Sequence, residues 1–174
     1  MEDNFELVFS SQEKAIVVSV LLAGESGERL EEEISELESL LRTLGVQAVG
    51  RILQKRQKLT PNCYIGSGKV QEIKELAQAK GAKLIVFDSN LSGPQVRNLE
   101  EMTGMVVLDR TGVILEIFSR HARTNQAKTQ VEIARLEYLL PRMTGAWTHF
   151  QRQRGGGALQ RGMGESRTRC SHLS

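Results

Sequence analysis

The sequence predicts an α/β protein: a small, open, mostly parallel sheet flanked by helices, followed by a long helical arm and a Gly/Arg-rich loop. Three observations predict it. Short apolar, β-branched runs alternate with amphipathic stretches as far as Leu108, which is the pattern of a parallel sheet with crossover helices. Residues 111–140 contain no Pro and one Gly, with apolar side chains at Ile114, Ile117, Phe118, Ala122, Ala127, Val131, Ala134 and Tyr138, spaced as on one helical face. After Pro141 the chain turns to Arg, Gln and Gly.

Taken in order, Ala15–Leu22 (AIVVSVLL) is a continuous apolar run and reads as a strand buried on both faces. Leu30–Leu44 follows as a helix, with Leu30, Ile34, Leu37, Leu40, Leu41 and Leu44 on one face and glutamates 31, 32, 33, 36 and 38 near its start, where acids suit the helix dipole. Val46–Gln54 is the second strand, with a basic continuation at Lys55, Arg56 and Lys58. A short Cys63–Ile65 strand leads into Gly66-Ser67-Gly68-Lys69 and a helix running to Gly81. Leu84–Phe87 is a buried strand ending at Asp88, Ser92–Thr103 a helix, and Met105–Leu108 the last strand, ending at Asp109. The helical stretch that follows reads as leaving this domain, with a break near Thr124 and an end at Pro141, since proline disfavours helix in the residue before it. The division expected is 1–108 for the α/β part, 109–150 for the arm, and 151–174 for the loop and an aberrant or truncated tail.

Composition narrows the classes. An apolar share of 40% with 5% aromatics suits an aliphatic-cored globule. No apolar run reaches the ~20 residues needed to span a bilayer, and MEDNFELVF lacks a secretory n-region, so a cytoplasmic location is expected. Cys63 and Cys170 lack metal-ligand spacing and read as free thiols. Net charge is +2 but segregated: residues 141–174 hold six arginines against Glu165 alone, and the first 140 residues hold 17 bases against 20 acids. An acidic globule with a basic end points to a polyanion met by that end.

The sharpest constellation is in that end. Arg142, Arg152, Arg154 and Arg161 interleave with Trp147, His149 and Phe150, and six glycines fall between 145 and 164. Arginine forks onto phosphate, aromatics stack on exposed bases, and glycine lets backbone approach closely; the alternatives are a disordered linker, or Phe150 and Trp147 packed against the helix end. Arg120, Arg123, Lys128 and Arg135 on the helix either track phosphates or form its solvated face. Gly66-Ser67-Gly68-Lys69 is either a tight strand-to-helix turn or a weak phosphate contact; Cys63 and Val70 stand where a P-loop needs Gly and Ser or Thr. Asp88 and Asp109 end neighbouring strands, where open α/β sheets place ligands, or else they cap and pair locally, Asp109 with Arg110 or Arg97. The three histidines are widely spaced, and no catalytic constellation and no metal set emerges.

At this point the residues resemble a known family. Asp109-Arg110-Thr111, Ile117-Phe118, Arg123, Lys128, Gln130-Val131-Glu132, Leu139-Leu140-Pro141-Arg142, Trp147-Thr148-His149, Arg152-Gln153 and Gly155–Gly164 are similar to the N-terminal domain of the HflX ribosome-associated GTPases, with Tyr64–Lys69 and Arg97–Glu100 fitting upstream. The resemblance implies a factor that binds the large ribosomal subunit and its rRNA and splits or rescues stalled ribosomes. It implies a two-helix antiparallel arm, of which this chain holds one half. Its loop would be directed at the peptidyl-transferase region. On this mapping the RNA contacts are Arg142, Trp147, His149, Arg152, Gln153, Arg154, Gly155, Gly156, Gly157, Arg161 and Gly162. GTP and Mg²⁺ belong to the full-length family, and ATP is reported for some members. Two features depart from the family: RTRCSHLS follows Glu165-Ser166 in place of the second helix's motif, and no G-x-x-x-x-G-K-[ST] occurs. No GTPase activity is therefore expected of this chain alone. The competing readings are a nucleotide-binding α/β domain centred on Gly66–Lys69, and a regulatory domain that restrains a GTPase domain.

Overall fold

The computed structural model describes residues 13–56 and 64–154, with side chains up to 143. Its sheet is built around β1 (Lys14–Leu22). Parallel strands alternate their side chains between two covered faces, which is why this stretch is apolar without interruption. Ile16, Val18 and Val20 enter one core and Ala15 and Val17 the other. Each large aliphatic side chain so buried contributes roughly 1.5–3 kcal/mol.

Four parallel strands stand in the order β2-β1-β3-β4, with β2 Gln47–Arg56, β3 Leu84–Phe87 and β4 Val106–Asp109. The predicted α/β class holds, and all four strands are parallel. The helices α1 (Gly27–Thr43), α2 (Ser67–Lys80) and α3 (Gly93–Thr103) make the crossovers. α1 covers one face together with α4 (Arg110–His121), while α2 and α3 cover the other. The order of connection reverses between β1 and β3, so the C-terminal ends of those strands flank the switch point where such sheets hold ligands.

Three local expectations are corrected. β2 runs on to Arg56, so Lys55 and Arg56 belong to the strand. Tyr64 and Ile65 lie in a bend. There the Tyr64 carbonyl accepts from Arg56 Nη1 at 3.2 Å and its ring meets Phe87 edge-on at 5.5 Å, so both residues are buried without strand pairing. The helix after β4 does not leave the domain at once: α4 lies on the sheet with Val113 in its core.

The break near Thr124 is present. α4 ends at His121, and α5 (Asn125–Arg154) begins under the Thr124 hydroxyl, which accepts from the Ala127 N–H at 3.1 Å. The expected stop at Pro141 is absent, and the proline lies inside α5. Proline removes one N–H from the helix ladder and crowds the preceding turn. Neighbours hold the backbone there: Arg97 Nη1 donates to the Pro141 carbonyl at 2.8 Å, and Arg142 Nη1 donates to the Tyr138 carbonyl at 2.5 Å. Among the described residues no helix is long and apolar enough to cross a membrane.

Candidate nucleic-acid interface

The site expected from sequence divides between two elements, and its centre of gravity is α5. Arg142 lies on α5, but its side chain faces inward and is 15% exposed. Its Nη2 donates to Asp109 Oδ2 at 2.9 Å and to the Leu91 carbonyl at 2.9 Å, and its guanidinium covers the Tyr138 ring at 3.5 Å. Arg142 is thus removed from the RNA-facing set, because its guanidinium is turned inward, with both terminal nitrogens donating inside the protein. The carboxylate it meets is wholly buried. Sequence reasoning offered Arg110 or Arg97 as the Asp109 partner. Instead Arg110 pairs with Glu36 at 2.8 Å and Arg97 serves the Pro141 carbonyl.

Asp109 collects four donors. Oδ1 accepts from the Gly112 N–H at 3.0 Å, which caps α4, and from the Tyr138 hydroxyl at 2.7 Å; Oδ2 accepts from the Leu91 N–H at 3.0 Å and from Arg142. A carboxylate so saturated needs no water to be stable in a dry site. Burial first, then the adjacent Asp109 charge, pushes the Tyr138 hydroxyl well above its ordinary value, so it stays a donor. Truncating one partner of a buried ion pair costs roughly 3–5 kcal/mol, since the other charge is stranded. Two glycines make this approach feasible. A Cβ on Gly112 would stand 2.5 Å from the Tyr138 oxygen, and one on Gly93 would overlap the Pro141 carbonyl. The sequence held a signal for this cluster in Tyr138 and Arg142, four residues apart on one helix face.

Trp147, His149, Arg152, Gln153 and Arg154 all have helical backbone. Gln151, read as the start of the loop, is helical, and Arg152–Arg154 lie in the last described turn of α5. At 1.5 Å per residue, Arg154 stands about 18 Å beyond Arg142 along the axis. Gly155, Gly156, Gly157, Arg161 and Gly162 lie outside the described residues, as do Cys63, Cys170 and the tail 167–174. Of the earlier helix cations, Arg120 reaches Glu116 at 3.4 Å and the Leu44 carbonyl at 2.8 Å, and Arg135 reaches Ser119 at 3.2 Å; Arg123 and Lys128 are exposed.

Gly66–Lys69 form the start of α2, away from α5, on a helix packed against β1, β2 and α3. Gly66 is the N-cap, and its N–H donates to Gln54 Oε1 at 3.1 Å. Lys69 Nζ lies 2.6 Å from Glu72. Among these groups, one backbone donor and the ammonium already have partners within the protein. At the switch point, Asp88 is 7% exposed and burial pushes its carboxyl above the ordinary range, against the Ser89 hydroxyl, which donates to Asp88 Oδ1 at 3.1 Å. Asn90 accepts from the Thr111 hydroxyl at 2.7 Å. Among the described residues no group of His, Cys, Asp and Glu is arranged to hold a metal ion.

Comparison with known proteins defines the class first. The family model described as GTP-binding GTPase N-terminal matches residues 31–119, and the one described as GTP-binding GTPase Middle Region matches 121–171, so a sheet domain and its following helix of this kind form the N-terminal and middle regions of a GTP-binding GTPase. Relatives are more specific. The chain is 42% identical over 154 residues to GTPase HflX of Flavobacterium psychrophilum, covering 88% of this chain and 37% of that protein. It is 40% identical over 158 residues to GTPase HflX of Escherichia coli, covering 91% and 36%. The chain belongs to the HflX family and corresponds to its N-terminal domain. It spans about a third of the length of these relatives. A GTP-binding protein from the hyperthermophilic archaeon Sulfolobus solfataricus, solved in complex with GDP, superposes with a TM-score of 0.57 at 27% identity, covering 82% of this chain and 42% of that one.

Proposed function

We propose that this chain is the ribosome-directed part of an HflX-type GTPase that splits or rescues stalled ribosomes. It binds large-subunit rRNA through the end of α5 and the loop that follows, directed at the peptidyl-transferase region. The observation that carries the reading is the rod itself: a helix anchored on the sheet at Tyr138–Arg142 that continues to Arg154 and bears the chain's segregated positive charge at its far end. Contact falls to Trp147, His149, Arg152, Gln153, Arg154, Gly155, Gly156, Gly157, Arg161 and Gly162. A helix also presents an exposed apolar strip at Ile133, Leu136 and Leu140, 52%, 50% and 61% exposed, which suits the partner helix of an antiparallel arm. GTP and Mg²⁺ act in the part of the full-length relatives that this chain does not span, and that GTPase domain is its partner within the whole protein. The location is cytoplasmic.

Nucleotide binding at Gly66–Lys69 has less support, because the Gly66 N–H and the Lys69 ammonium are already engaged. Salt titration of binding to isolated large subunits tests the main reading. Each phosphate contacted contributes roughly −0.7 to −0.9 to the slope of log K against log salt. Replacing Arg152, Arg154 and Arg161 with Ala is expected to weaken binding and flatten that slope by about 2–3. A triple variant that binds with the parent's affinity and slope overturns the proposal.

A further inference from the structure

α5 holds the buried Asp109 of the sheet domain through a single turn, Tyr138 to Arg142. Tyr138 and Arg142 stand four residues apart and grip opposite oxygens of one carboxylate, at 2.7 and 2.9 Å. Gripping both oxygens from two points on a helix fixes its roll as well as its tilt. Asp109 is itself fixed from the domain side, by the Gly112 N–H at the start of α4 and the Leu91 N–H of the β3–α3 connection. Gly93 lets the Pro141 carbonyl close on the start of α3, where Arg97 holds it. The same turn contains Pro141, the place where the helix ladder lacks a donor and is most ready to bend.

The geometry points to a joint: the Asp109–Tyr138–Arg142 cluster splints α5 at its weakest turn and sets the direction in which the arm's basic end projects. Arg142 is thereby a positioning residue, which acts on a polyanion only by aiming the residues that touch it. This use of the joint rests on the proposed role of the arm, but its existence is tested without any ribosome.

The test is the distance distribution between spin labels in the whole 174-residue chain, with Cys63→Ser and Cys170→Ser. The labels are placed at Gln78→Cys, exposed on α2, and Gln151→Cys on the last turns of α5. The parent is expected to give one narrow distribution. Arg142→Met should at least double its width, Tyr138→Phe should broaden it less, and Arg142→Lys, which keeps the charge without the fork, should fall between Arg142→Met and the parent. Amide protection at Leu84–Phe87 should be unchanged in Tyr138→Phe, and lowered but retained in Arg142→Met, which strands the Asp109 charge. A width that Arg142→Met and Tyr138→Phe both leave as in the parent overturns the joint. So does loss of protection at Leu84–Phe87 in Tyr138→Phe, for the cluster would then be holding the sheet and not the angle of the arm. If these variants broaden the distribution while the triple arginine variant still binds subunits normally, the joint stands and the rRNA reading falls.

Discussion

Asp88 ends β3 with its carboxyl buried beside Ser19 and Ser89, and desolvation raises its folded pKa above the unfolded value. For an acid shifted in this direction, the unfolded chain ionises first as pH rises. Stability is untouched below the unfolded pKa, falls as pH climbs towards the folded pKa, and stays reduced above it. Asp88→Asn keeps the side chain's size and removes the ionisation. Urea unfolding should therefore show the variant gaining on the parent at pH 7, with the gain fading towards pH 3.5. Equal differences at both pH values would mean that the carboxylate is solvated or paired in the folded protein. Arg142 carries a different lesson at this scale. Its basic neighbours made a phosphate contact the natural reading, yet nothing in the sequence tells an arginine that its carboxylate lies 33 residues upstream.

Among the elements, β1 and α1 were legible because burial on both sheet faces, or on one helix face, writes a period into the residues themselves. Leu30, Ile34, Leu37 and Leu41 are all buried, as their spacing requires. Pro141 was misread because its local effect is real but small beside the hydrogen bonds that Arg97 and Arg142 supply to the carbonyls of that turn, and those come from packing. The cap of α3 was not singled out in the sequence, although Ser92 and Gln95 have the spacing of a capping box. Ser92 accepts from the Gln95 N–H while Gln95 Oε1 accepts from the Ser92 N–H, a reciprocal box closing the helix start. Ser92→Ala should destabilise the protein by roughly 0.5–2 kcal/mol, the usual cost of losing such a cap. Calorimetry finding no change would show that the box is replaced by solvent at no loss.

For the whole molecule, the division of labour follows from what the chain contains. It has neither the P-loop lysine nor the hydroxyl that holds Mg²⁺ in nucleoside triphosphatases, the groups that neutralise the phosphates during transfer. The purified chain is expected to hydrolyse GTP no faster than buffer. Magnesium-dependent turnover that Lys69→Ala abolishes would contradict this and would return Gly66–Lys69 to the centre of the account. The parallel sheet and its apolar faces were readable from sequence, whereas the strand order and the seating of α5 on α3 and α4 were not, because long-range contacts leave no period behind. The unbroken run of α5 from its grip at Arg142 to Arg154 makes the helix a screw thread. One residue inserted or deleted between the grip and the end would turn everything beyond it by about 100° while moving it only about 1.5 Å, whereas about seven residues, close to two whole turns, would restore the bearing almost completely. Length in that segment is therefore constrained as an angle far more tightly than as a distance.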